Sequence, residues 1–223
     1  MTLQASQLAY ARGNRKLFSG VSFELGAGEA MRVAGRNGSG KTSLLRVLCG
    51  LAEPADGEVR WNGLSVHGHR DAFHQALTYI GHGQGLKDDL SALENVQMSA
   101  LLSGRACTRV QALHALERVG LRGRSELPAR VLSQGQRRRV ALARLALAPT
   151  SSATGSLLVL DEPFVALDLE SVSVLTDLLN ERLALGAALI YTTHQTQHLN
   201  AKRVQELVLD APQADAIQGL EAV

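Results

Sequence analysis

Gly35-Arg36-Asn37-Gly38-Ser39-Gly40-Lys41-Thr42 fits the phosphate-binding pattern G-x-x-x-x-G-K-[ST] without a mismatch. Glycine at 35, 38 and 40 lets the backbone bend and approach a ligand closely, because no Cβ stands in the way. The N–H groups freed by the bend form a concavity that suits anions, and a helix starting near Lys41 adds the positive end of its dipole. Lys41 supplies a point charge for β- and γ-phosphates, and Thr42 a hydroxyl ligand for Mg²⁺. Arg36, Asn37, Ser39 and Ser43 complete the candidate set from the same loop and the helix's first turn. The flanks agree. Glu29–Ala34 predicts a short strand, and Thr42–Cys49 predicts a mostly buried helix stopped by Gly50. The alternative is a glycine-rich turn that only happens to precede a helix.

Composition bounds the rest. A chain of 223 residues predicts one domain with room for a small subdomain, and 45% apolar residues suffice for a real core. A net charge of +2 points globally neither to nucleic acid nor to an anionic membrane. Cys49 and Cys107 make no paired metal spacing and fit a reducing cytosol better than a disulfide scaffold. The N-terminus lacks the apolar run of a secretory signal. No stretch approaches the roughly 18 uninterrupted apolar residues of a membrane span, so any membrane role must come through a partner.

Strand patterns fall at Val21–Leu25, Glu29–Ala34, Gly57–Trp61 and Leu77–Ile80, then at Leu157–Leu160, Ala188–Tyr191 and Val204–Leu209. Between Ser91 and about Leu127 there are none. Leu93, Val96 and Leu101, then Val110, Leu113, Leu116 and Glu117, follow helical spacing instead. Leu175, Leu178, Leu179 and Leu183 form the stripe of a crossover helix. The expectation is an α/β fold with a mixed sheet and a small helical insertion. The polar run Thr150–Ser156 predicts an exposed loop.

Three further runs carry chemistry. Leu157-Leu158-Val159-Leu160-Asp161-Glu162 is an apolar strand ending in two carboxylates, which cost desolvation there unless they have work to do. Beside a phosphate loop the first acid, Asp161, is the Mg²⁺-side carboxylate, and Glu162 is placed to polarise an attacking water. Ser133 and Gln136 in Leu132-Ser133-Gln134-Gly135-Gln136 stand in capping-box relation ahead of an apolar-rich helix. That helix end can hold an anion, Gly135 leaves it open to close approach, and plain capping is the alternative. Tyr191-Thr192-Thr193-His194 ends a third apolar strand with a histidine, a type more often structural when it stands alone.

Together these residues resemble an ABC-type ATPase: Gly35–Thr42 its Walker A, Leu132–Gln136 its signature, Leu157–Glu162 its Walker B, Ala166-Leu167-Asp168 its D-loop and His194 its switch histidine. The resemblance implies a P-loop NTPase core with a mixed sheet, a single domain over 1–223, and a helical subdomain at about 85–150. It implies ATP and Mg²⁺, and a head-to-tail dimer in which each ATP lies between one Walker A and the partner's Ser133, Gly135 and Gln136, with Asp168 at the contact. Binding closes such a dimer, and hydrolysis by Glu162 with His194 reopens it.

A narrower resemblance rests on Phe73-His74-Gln75, Tyr79-Ile80-Gly81-His82, Leu86-Lys87, Leu93-Glu94-Asn95, Arg137–Arg144 and Tyr191–Gln195. These look like the ATP-binding subunit of the haem exporter-type transporter of bacterial cytochrome c maturation. That family implies a peripheral subunit on the cytoplasmic face of the inner membrane, working with polytopic permease subunits. The chain departs from it in places. Gly83 stands where the Q-loop glutamine follows the histidine, so Gln84, one residue later, is the candidate for contacting Mg²⁺ and water. Arg12 falls at the adenine-stacking position, with Tyr10 two residues earlier on the same strand face, and either can stack. Gln134 replaces the usual glycine of the signature.

Arg137-Arg138-Arg139 is read as the solvated, phosphate-facing side of the signature helix rather than a nucleic-acid patch. His67, His69, His74 and His82 lack tight ligand spacing and are read as surface or core histidines. The competing function is a soluble ABC ATPase that remodels a partner, as in iron–sulfur cluster assembly. The two differ in what the surface from Gln84 to Asn95 would grip.

Overall fold

The computed structural model describes residues 1–83, 85–147, 155–194 and 198–209. Gln84, Gln195 and residues 150–154 of the predicted loop lie outside that set. The strands are β1 (Thr2–Arg12), β2 (Arg15–Gly26), β3 (Ala30–Gly35), β4 (Asp56–Trp61), β5 (Leu64–Ser65), β6 (Leu77–Ile80), β7 (Leu157–Leu160), β8 (Ala188–Thr192) and β9 (Val204–Leu209). The helices are α1 (Lys41–Leu48), α2 (Arg70–Ala76), α3 (Ala92–Leu102), α4 (Arg109–Arg118), α5 (Gln134–Leu142) and α6 (Leu169–Ala184). They build two sheets: an antiparallel one in the order β2-β1-β4-β5, and a parallel one in the order β6-β7-β8-β3-β9.

The parallel sheet explains the apolar runs. A strand covered on both faces has no polar side, so it reads as continuous hydrophobics. Side chains still alternate with period two. In β7, Leu157 and Val159 join the core beneath the antiparallel sheet and α1. Leu158 and Leu160 join the core against α6. In β8, Ala188 and Ile190 take the first side and Leu189 and Tyr191 the second. The predicted stripe of α6 is buried in full, with Leu175, Leu178, Leu179 and Leu183 all at most 2% exposed.

The stretch between β6 and β7 is helical, and α3, α4 and α5 share a separate apolar cluster. Its members differ in part from those predicted by spacing. Leu93, Val96 and Leu116 are buried, but Leu101 and Val110 are exposed, and Ala100, Ala112 and Ala115 fill the contact. Small residues let α3 and α4 approach closely, and Leu101 and Val110 end up on the outer faces.

One buried polar residue organises the edge of this region. Asn95 on α3 accepts from the Lys87 N–H (2.8 Å) and donates from Nδ2 to the carbonyls of Lys87, Leu90 and Ser91 at 2.9–3.1 Å. Ser91 caps α3 in a full capping box with Glu94. One side chain therefore satisfies one N–H and three carbonyls of the segment 87–91 and holds that segment against α3. Asn95→Ala is expected to cost about 1–3 kcal/mol, because those carbonyls and that N–H lose their partner inside the protein. Urea denaturation checks this as a lower midpoint at unchanged slope.

Candidate nucleotide site

In a parallel sheet the carboxyl ends of the strands collect on one edge, where loops can diverge and leave a crevice. Here β3 delivers the phosphate loop to that edge, β7 delivers Asp161 and Glu162, and β8 delivers Thr192 and, just beyond it, His194. They meet around a cavity of about 600 Å³. Its lining includes Asn37, Gly38, Gly40, Lys41, Thr42 and Ser43 of the loop and helix start, then Asp161, Glu162 and His194.

The loop's shape needs its glycines at two places. Gly35 has φ +144°, and a Cβ there would sit 2.5 Å from the Leu209 carbonyl oxygen and 2.6 Å from Ser39 Oγ. Gly40, at φ +101°, caps α1 without a side chain, and a Cβ would press on Leu17 at 3.1 Å. The N-terminal N–H groups of α1 thus open toward the cavity with no capping oxygen in the way. Lys41 Nζ donates to the carbonyls of Gly35 (2.7 Å) and Arg36 (3.2 Å), which holds its charge over the loop.

Asp161 is 2% exposed and has both carboxylate oxygens engaged. Thr42 Oγ1 donates to Oδ2 at 2.7 Å, and Thr192 Oγ1 donates to Oδ1 at 2.8 Å. The two residues expected to share Mg²⁺ are thus already neighbours. A hydroxyl and a carboxylate are hard oxygen donors, and a site with few protein ligands that borrows phosphate oxygens suits this ion. Glu162 follows at φ +49°, and its carboxylate Oε1 lies 3.3 Å from His194 Nε2.

The other expected residues divide. Arg12 lines the cavity, together with Arg15 and Leu17. Tyr10 does not: β1 carries register shifts on both sides of it, and its ring stacks on Phe18 at 6.0 Å. Those irregularities break the simple alternation that puts Tyr10 and Arg12 on one face. Ser133 caps α5, accepting from the Gln136 N–H (3.2 Å) while its own N–H donates to Gln136 Oε1 (3.0 Å). Neither they nor Gly135 line the cavity of their own chain. Asp168 caps α6, and hydrogen bonds from Ser171 hold its carboxyl below the usual range.

The arginine run is a correction. Arg138 is buried rather than solvated, and donates to the carbonyls of Gly81, Asp161 and Glu162. Arg137 donates to the Ala129 carbonyl and pairs with Asp88, and Arg139 donates to the carbonyls of Val119 and Gly120. Three consecutive residues on a helix diverge by about 100° each, so they cannot share one face. His82, grouped by sequence with structural histidines, lines the cavity too. With Thr42 it also lines a neighbouring cavity of about 460 Å³, bounded by Arg46, Leu86, Asn95 and Arg144. Arg15 belongs to no motif in the sequence, whereas His82 and Arg138 lie in runs that carry the family resemblance but whose spacing does not show where their side chains go.

This edge defines a nucleotide-binding cassette, and the comparisons agree. The ABC transporter family pattern matches residues 18–165, so the chain belongs to the ABC transporter family, as an ATP-hydrolysing subunit. It is 48% identical to the "Cytochrome c biogenesis ATP-binding export protein CcmA" of Nitrosospira multiformis, over 93% of this chain and 98% of that one. The protein of the same name from Shigella flexneri is 42% identical over 95% of this chain and 98% of its own length. Among solved structures, a dimeric bacterial ABC transporter cassette superposes with a TM-score of 0.79 at 23% identity, covering 95% of this chain and 97% of that one.

Placement of Arg12 at the cavity and of Tyr10 on Phe18 makes the adenine contact testable. Arg12→Ala is expected to raise the dissociation constant for ATP about 3- to 30-fold, the range of a lost cation–π stack. Tyr10→Ala should leave that constant within about twofold and lower the thermal midpoint instead. Titration calorimetry and thermal melts of the two variants check the split.

Proposed function

We propose that this chain powers an exporter of bacterial cytochrome c biogenesis, binding Mg²⁺-ATP and hydrolysing it in a head-to-tail dimer. One observation carries the catalytic part. Glu162 stands beside an Asp161 already held by Thr42, and its carboxylate reaches His194 in the cavity lined by Lys41. Bound Mg²⁺ would be held by Thr42 and Asp161 and would offset phosphate charge. Lys41 and the N-terminal N–H groups of α1 bind the phosphates. Glu162 accepts the proton of the attacking water, and His194 orients the carboxylate and the γ-phosphate. Gln84, just past the His82–Gly83 turn, is the proposed Q-loop residue.

The signature helix end supports the dimer. Ser133, Gly135 and Gln136 form an open, capped helix end that could hold an anion, yet they are not part of their own chain's cavity. A second copy would bring them to the γ-phosphate, with Asp168 near the contact. The membrane part follows from the relatives' names, which describe export proteins and favour this reading over a soluble remodelling ATPase. Among the described residues no helix is long and apolar enough to cross a membrane. The proposed location, which the family resemblance supports, is peripheral, on the cytoplasmic face of the inner membrane, against polytopic permease subunits. The cavity bounded by Leu86, Asn95 and Arg144 is where such a partner would sit. Haem is the cargo that the family resemblance implies, and nucleic acid is not an expected partner.

Glu162→Gln is expected to bind ATP normally, to lower turnover by about 10²- to 10⁴-fold, the usual contribution of a general base, and to accumulate as a dimer with ATP in size exclusion. Turnover near that of the parent chain would remove Glu162 from the base role. Purification from detergent-solubilised membranes should recover a polytopic membrane protein with the chain. Recovery of a soluble scaffold alone would reverse the choice between exporter and remodelling ATPase.

A further inference from the structure

Glu162 holds a backbone conformation that a side chain disfavours. Its φ of +49° lies in the left-handed region, which costs a residue with a Cβ on the order of 1–2 kcal/mol. Such a conformation persists only where the surroundings over-determine it. Here both flanking peptide groups are tied. The Glu162 N–H donates to Thr192 Oγ1 at 2.8 Å. The Glu162 carbonyl accepts from Arg138 Nη2 at 2.7 Å. The same nitrogen donates to the Asp161 carbonyl at 3.0 Å, and Nη1 donates to the Gly81 carbonyl at 3.2 Å.

We propose that Arg138 is the positioning residue of the general base: its guanidinium locks the peptide of Glu162 and so sets where the carboxylate stands. This rests on Glu162 being the base. Arg138 never touches the cavity, and it acts through carbonyl groups alone. A planar fork with donors on two separated terminal nitrogens meets three carbonyls from two strand ends in one fixed geometry, which a single-centred ammonium or a two-donor amide does not reproduce. Arg138 as a whole is 4% exposed, so these bonds have little water to replace them. Burial lowers its affinity for a proton, while the charges of Asp161 and Glu162 oppose that shift.

The position of Arg138 in the fold gives the lock a second consequence. It stands on α5, the helix capped by Ser133 and Gln136. Gly81, its third partner, directly precedes His82 on the rim of both cavities. One rigid group therefore joins the open helix end offered to a second copy, the turn that leads to the partner cavity, and the peptide carrying the base. Any rotation of α5 relative to the parallel sheet has to move these carbonyls or break the bonds.

A double-mutant cycle on the full chain tests this, with ATP hydrolysis measured per folded, nucleotide-binding molecule. Arg138→Gln should lower kcat about 10- to 100-fold, the loss expected when a reacting group is misplaced by about 1 Å. KM for ATP should stay within about threefold. In the Glu162→Gln background the same change should alter the residual rate by less than about threefold, because the group it positions is already gone. Arg138→Lys keeps the charge but not the fork and should fall between the two. Loss of the same factor in both backgrounds, or a rise in KM at unchanged kcat, overturns the proposal. Global damage would produce multiplying losses. If Arg138→Gln does not fold, Arg138→Lys carries the same cycle with the same deciding outcomes. Near-normal turnover of Glu162→Gln alone would instead sink the base assignment itself.

Discussion

The carboxylate of Asp161 accepts one hydrogen bond from Thr42 and one from Thr192, and the site is arranged around this pair of contacts. Thr42 belongs to the helix that follows β3, Asp161 follows β7, and Thr192 ends β8. One buried side chain therefore ties together three separate segments of chain at a sheet edge. Hydrogen bonds to a charged acceptor away from water are among the stronger ones, and leaving a partner unmade there is expensive. These two bonds fix Asp161, Thr42 and Thr192 relative to one another at this sheet edge, with Thr42 at the junction of the phosphate loop and the carboxylate.

The next residue shows what such an arrangement makes possible. Glu162 adopts a left-handed backbone because its two peptide neighbours are held from opposite sides, by Thr192 of β8 and by Arg138 of α5. The strain is local, and its support is spread over the parallel sheet and the helical region. Gly35 and Gly40 do the complementary job: their missing side chains let the loop fold tightly against Leu209, Ser39 and Leu17. Strained backbone at Glu162 and tightly folded backbone at the glycines lie on the same sheet edge, where geometry has to be held most closely.

Much of this was legible in the chain. The phosphate loop, the apolar strand ending in Asp161 and Glu162, and the Ser133–Gln136 capping box are local patterns. Their geometry is dictated by residues within a few positions of one another, and the structure has strand, cap and helix start where those patterns put them. Patterns that depend on packing were less faithful. Leu101 and Val110 have helical spacing but face outward, since alanines make the close contact between α3 and α4. Tyr10 and Arg12 part company because β1 is irregular between them. Arg138 looks like any exposed arginine in a basic run, yet it is buried beneath three carbonyls.

By itself, the sequence determined the ligand class, the strand–loop–helix that takes it, the pair of acids and the family, because each is encoded by residue types at short, fixed spacing. Only the tertiary structure decided that Arg12 and not Tyr10 lines the cavity, that His82 stands at its junction with the second cavity, and that Arg138 lies behind the peptide of Glu162. These depend on where distant segments meet, and on register shifts and helix rotations of a fraction of a turn. Such quantities are set by the packing of the whole core, and no short stretch of the chain encodes them.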